Sequence, residues 1–83
     1  MGTAVEIKSE NISGNQRLYK VVPRFFGNSY IVVSQSKEPF IRKETMIFAS
    51  DKNGEIDWGG IEMFPNHVDF NDALRKIGYE AVQ

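Results

Sequence analysis

The sequence predicts an α+β domain: an antiparallel sheet of about four strands with one carboxyl-terminal helix packed on one face. Three observations carry that expectation. Strand-like apolar runs at 18–26 and 29–33 meet across Gly27-Asn28, and a second pair of runs flanks Asn53-Gly54. Only one stretch, opened by Asp69, keeps apolar residues at helical spacing. With 41% hydrophobic and 12% aromatic residues in 83, the chain has the composition of an ordinary folded domain.

In order along the chain, Val5-Glu6-Ile7-Lys8 alternates as a short half-buried strand would. Residues 1–16 as a whole are expected to be a loose strand or a flexible lead-in, because Ser9 to Gln16 is a loop by composition. From Leu18 to Phe26, Tyr19, Val21, Pro23 and Phe25 share one face, and Leu18, Lys20, Val22, Arg24 and Phe26 the other. Pro23 donates no ladder hydrogen bond, so the strand should lie at an edge or carry a bulge. A two-residue turn at Gly27-Asn28 would set Phe25 opposite Tyr30, Pro23 opposite Val32 and Phe26 opposite Ser29. The Phe25 side then becomes the core. Ser34 to Glu44, interrupted by Pro39, reads as a crossing loop anchored by Phe40 and Ile41.

Thr45 to Glu62 is the clearest local signal, a hairpin with Met46 to Ala49 leading in and Ile56, Trp58 and Ile61 leading out. Its turn is either a two-residue Asn53-Gly54 turn or a type I turn with Gly54 left-handed. Paired glycines in Trp58-Gly59-Gly60 predict a bend or bulge. After a turn at Pro65-Asn66, a helix of about nine residues runs from Asp69 to Ile77, with Phe70, Ala73, Leu74 and Ile77 on one stripe. Asp69 is its N-cap, Val68 and Ala73 occupy staple positions, and Gly78 is the left-handed stop. Asp72 near its start and Arg75 and Lys76 near its end suit the helix dipole. So short a helix must dock on a sheet, and Tyr79 to Val82 offers a last short strand.

Composition excludes several functions. Cysteine is absent, which removes disulfides and thiolate metal sites and favours a cytoplasmic setting. No apolar run approaches the roughly 20 residues of a membrane helix, and the first residues lack a secretory profile. Glu6 stands where a myristoylation signal wants Ser or Thr, and Asn11-Ile12-Ser13 matches a glycosylation acceptor without a secretory context. The net charge of −1 conceals a dipole. Residues 1–43 hold seven basic and three acidic residues, whereas residues 44–83 hold three and eight. Opposite patches of this kind favour a charged partner or self-association, unless the halves fold together and cancel.

Candidate chemistry is sparse. Asp51, Asn53, Glu55 and Glu62 fall at calcium-loop positions, but Ile56 stands where that loop needs Gly and the flanks are strand-like. His67 is the only histidine, too few for zinc. Neither a nucleophile elbow nor a phosphate-binding glycine loop is present. No cofactor, metal or catalytic group is therefore expected. Lys20, Arg24 and Phe26, with Arg42 and Lys43, could form a basic and aromatic face for single-stranded nucleic acid. Ten aromatics are many for one small domain, so Trp58, Phe64 or Phe40 is a candidate anchor for a protein partner or a second copy, with Glu55, Asp57 and Glu62 set around the first two.

Thr45 to Phe48, Asn53-Gly54, Asp57-Trp58, His67 to Leu74 and Gly78-Tyr79-Glu80 together give the carboxyl half a resemblance to small phage-encoded proteins. The resemblance implies a stoichiometric binder of a host or bacterial protein, such as an anti-CRISPR or other anti-defence inhibitor acting by occlusion. It brings no catalytic residue. The expected function is thus a non-enzymatic protein-binding module, with single-stranded nucleic-acid binding as the alternative.

Overall fold

The structure is a computed structural model that describes residues 1–10, 12–36 and 44–82. Six strands and one helix follow in the order β1 (Gly2–Ile7), β2 (Gln16–Phe25), β3 (Asn28–Gln35), β4 (Thr45–Ser50), β5 (Ile56–Phe64), α1 (Phe70–Lys76) and β6 (Tyr79–Val82). They form one sheet in the order β5-β4-β3-β2-β1-β6. Every pairing is antiparallel except that of β6 with β1, which is parallel. The α+β class and the single helix on the sheet agree with expectation, but the sheet is six-stranded and mixed, not four-stranded and antiparallel. The two extra strands are the short terminal segments, each too weak to hold alone and each held by its neighbour. Helix α1 carries the chain from β5 at one edge to β6 at the other, so β6 enters parallel to β1. Gly2 permits the close fit there: a Cβ on it would lie 2.5 Å from the Val22 carbonyl oxygen and 2.7 Å from the Tyr79 ring.

Alternation along the strands builds two unequal faces. On the helix side, Ala4, Tyr19, Val21, Phe25, Ile31, Val33, Ile47 and Ala49 pack with Ala73 and Leu74 of α1 and with Tyr79. Leu18, Val32 and Phe48 are buried on the opposite face, where no helix lies among the described residues. Ile12, from the β1–β2 loop, reaches Gly54 on that side, close to Val32.

Strand β2 meets one expectation and departs from another. It lies inside the sheet, and Pro23 is accommodated by a bulge, one of the two expected placements. Between the pairs Lys20–Tyr30 and Phe25–Asn28, four residues of β2 face only Ser29. Val21 and Val22 pair instead with Ala4 and Thr3 of β1. The turn is one residue early. Phe26 (φ 48°) and Gly27 (φ 79°) are both left-handed, the requirement of a type I′ turn. Phe26, a residue that rarely adopts this conformation, is held edge-on to Phe25 at 4.7 Å and packed on Gly60.

The central hairpin and the helix match their sequence signals closely. Gly54 is left-handed (φ 82°) and donates its N–H to the Asp51 carbonyl at 3.0 Å. Asp51 Oδ1 also accepts from the N–H groups of Asn53 and Glu55. This is the type I alternative, with the Asp51 carboxylate tying the loop. Asp69 caps α1 by accepting from Asn71 N–H at 3.2 Å, Ile77 is the C-cap, and Gly78 (φ 91°) ends the helix. Its entrance is pinned to the sheet by buried Thr45, whose Oγ1 accepts from Val68 N–H at 2.9 Å, and by Gln35, which donates to the Val68 carbonyl at 2.8 Å.

Candidate partner-binding surface

Strand β5 is a sheet edge, and its sequence makes that edge irregular. The register jumps between Phe48–Ile61 and Ala49–Asp57, leaving Trp58, Gly59 and Gly60 as extra residues. The bulge is where the paired glycines predict it, and the reason is steric. A Cβ at Gly60 would stand 2.7 Å from Phe26 Cβ and 2.8 Å from Ala49 Cβ. Asp57 Oδ1 closes the bulge by accepting from Gly59 N–H at 3.0 Å.

The bulge delivers Trp58 to the helix-free face. Its ring lies 5.4 Å from that of Phe48 in an edge-on arrangement, yet the residue is 71% exposed. Ile61 sits opposite Phe48, and Met63 opposite Met46. Trp58, Ile61 and Met63 therefore continue the apolar floor of Phe48 out to the edge of the sheet. Exposed Glu55, Asp57 and Glu62 flank this strip, and none makes a salt bridge with another described residue. Phe64 does not belong to it. Alternation turns Phe64 to the helix side, where it packs against the core with Lys76 Nζ 5.8 Å from its ring. Ile61 and Met63 were not singled out as anchors, although their i, i+2 spacing puts both on one strand face.

The basic residues are distributed differently from expectation. Lys20 stands on the helix-free face opposite Tyr30, and Arg24 lines a shallow hollow with Tyr30, Asp51 and Lys52. Phe26 lies on the helix side against Gly60, so it does not share a face with Lys20. The aromatic neighbour of both cations is Tyr30. The turn removed Phe26 from the Lys20 face, and the bulge of β2, with four residues against one of β3, moved Tyr30 onto it, because an odd change of register exchanges the faces of a strand. Arg42 and Lys43, like the Phe40 anchor, lie outside the described residues.

His67 is exposed, with Nε2 3.2 Å from both Oγ and the carbonyl oxygen of Ser36, while Asp69 is used as the helix cap. Among the described residues, no group of three or more His, Asp or Glu side chains is gathered to hold a metal. No helix among them is long and apolar enough to cross a membrane. The phenols of Tyr19 and Tyr79 are both held above the usual value by burial, with Arg17 opposing the effect at Tyr19. Comparison with family models, curated proteins and solved structures finds no match for this chain.

Proposed function

We propose that this chain is a non-enzymatic protein-binding module that docks through the Trp58–Ile61–Met63 strip of β5. The observation that supports this most is the exposure of Trp58 (71%) beside two further exposed apolar residues on a bulged edge strand. Burying such a strip against a partner would release about 25 cal/mol per Å² of apolar surface, and tryptophan is a frequent energetic centre of interfaces. The carboxylates of Glu55, Asp57 and Glu62, which form no salt bridge among the described residues, would steer a basic partner surface and disfavour an acidic one. The resemblance of the carboxyl half to phage-encoded proteins makes a bacterial defence complex, such as a CRISPR-Cas effector, the partner class to try first, with occlusion as the mechanism.

The test is co-purification with defence complexes from nuclease-treated bacterial lysate, comparing the native chain with Trp58→Ala and Met63→Ser. A stoichiometric partner should bind the Trp58→Ala chain at least about tenfold more weakly, a loss of the size expected for an anchor. Equal retention by both variants would sink the reading. The Lys20–Tyr30 pair beside Arg24 supports single-stranded nucleic-acid binding as the second reading. In that case bare oligonucleotide should bind with steep salt dependence, lost in Lys20→Glu/Arg24→Glu.

A further inference from the structure

Strand β5 ends the sheet, and the state of its outer backbone follows from the hydrogen bonding of β4. Ser36 N–H donates to the Glu44 carbonyl at 3.0 Å, and Asp51 N–H donates to the Glu55 carbonyl at 3.0 Å. Antiparallel alternation between those two ends turns the backbone groups of residues 46, 48 and 50 toward β3 and those of 45, 47 and 49 toward β5. Thr45 and Ile47 stand opposite Phe64 and Glu62, so Phe64 and Glu62 bond to β4. Ile61 and Met63, which alternate with them, direct their N–H and C=O groups to the open side, where no described strand lies.

This edge is blunted over only half its length. The bulge at Trp58-Gly59-Gly60 disrupts the ladder, whereas residues 61–64 pair one-to-one with residues 45–48. Along that regular half the exposed side chains of Ile61 and Met63 lie on the helix-free face with Trp58, and exposed Glu62 lies on the helix side. The charge is of one sign: residues 55–64 hold Glu55, Asp57 and Glu62 and no lysine or arginine. Lys52 in the hairpin turn and Lys76 on α1, whose Nζ lies 5.8 Å from the Phe64 ring, form no salt bridge with these carboxylates. A second copy is therefore a poor occupant of this edge. Two β5 strands paired across a twofold axis would set the three carboxylates of each copy along one seam with no cation from either, and like charges facing across a ladder are destabilising.

We propose that β5 receives an extended segment of its partner as a further strand, antiparallel to residues 61–64, in which apolar residues alternate with arginine or lysine. The inference rests on the protein-binding reading above and specifies what the partner presents. Two partner residues exchange N–H···O=C bonds with Ile61 and Met63 and lay apolar side chains beside Trp58. The residue between them faces Glu62 on the helix side and is basic. Backbone pairing supplies the attachment, and the alternating side chains supply the selection.

NMR titration of the full chain with acetyl-Thr-Val-Arg-Val-Lys-amide tests the proposal. Saturable shifts centred on the Ile61 and Met63 amides are expected at about millimolar peptide. Methylating both valine nitrogens removes the donors to Ile61 and Met63 and should weaken binding about tenfold or more, whereas methylating the arginine nitrogen, which points away from β5, should change it by less than about twofold. Glutamate in place of both basic residues should weaken it about fivefold or more. In the chain itself, Met63→Pro removes an outward N–H without touching the β4 ladder and should abolish the shifts. If that variant loses its melting transition, the methylated peptides on the native chain still decide. The proposal is overturned if no peptide gives saturable shifts, if the doubly methylated or the glutamate peptide binds as tightly as the first, or if sedimentation shows a dimer that Met63→Pro dissociates. A captured partner that binds Trp58→Ala weakly but Met63→Pro normally overturns strand addition and leaves the protein-binding reading standing. Failure to capture any partner counts against that reading and leaves the peptide result to decide this one.

Discussion

Tyr19 and Tyr79 show how one residue type can serve opposite ends in one core. The Tyr79 hydroxyl donates to the Pro23 carbonyl at 2.7 Å, tying β6 to the bulge of β2, whereas the Tyr19 hydroxyl has no such partner among the described residues. Tyr79→Phe should therefore cost about 1 kcal/mol in urea denaturation, and Tyr19→Phe should be neutral or stabilising by a similar amount. Their titration adds a second test. Burial raises both phenols above the ordinary value of 10.0, so the unfolded chain loses these protons first as pH rises. Stability contributed by the protonated phenols is complete below about pH 10 and is lost as pH climbs from there through the folded values. Comparing unfolding at pH 8 and pH 11, Tyr19→Phe should lose less stability than the native chain.

Among the elements, those legible in sequence are the ones whose determinants are local. Asp69, the apolar stripe and Gly78 specify α1 within a span of ten residues, and Asp69→Ala should cost about 1 kcal/mol by removing the cap. The β5 bulge was legible because two adjacent glycines have no other use inside a strand. Gly60→Ala should destabilise by about 1–3 kcal/mol, since its methyl group would meet Phe26 and Ala49. Tryptophan fluorescence would report the accompanying displacement of Trp58. The β2–β3 turn was illegible for the converse reason. Gly27-Asn28 is the better turn by composition, yet the chain turns at Phe26-Gly27, where contacts with Phe25 and Gly60 support a left-handed phenylalanine. Phe26 thereby left Lys20, and the bulge of β2 brought Tyr30 to it.

For the molecule as a whole, the order of the sheet predicts where stability is concentrated. Strand β3 is flanked on both sides and buries Ile31, Val32 and Val33 on both faces, whereas β6 is a four-residue edge strand. Hydrogen exchange should be slowest in β3 and fast in β6, and uniform protection across all six strands would contradict this layout. Leu74→Ala, which removes the centre of the only helix-to-sheet contact among the described elements, should cost about 2–5 kcal/mol, a large share of a small domain's stability. The sequence by itself determined a tight hairpin turn containing Gly54, in one of two forms, the capped helix, and a bend or bulge at Trp58-Gly59-Gly60, because each depends on residues a few positions apart. Only the tertiary structure decided the six-strand mixed sheet, the strands left at its edges and the β2 register. Those arise from pairings between distant segments, whose free energy no local pattern encodes.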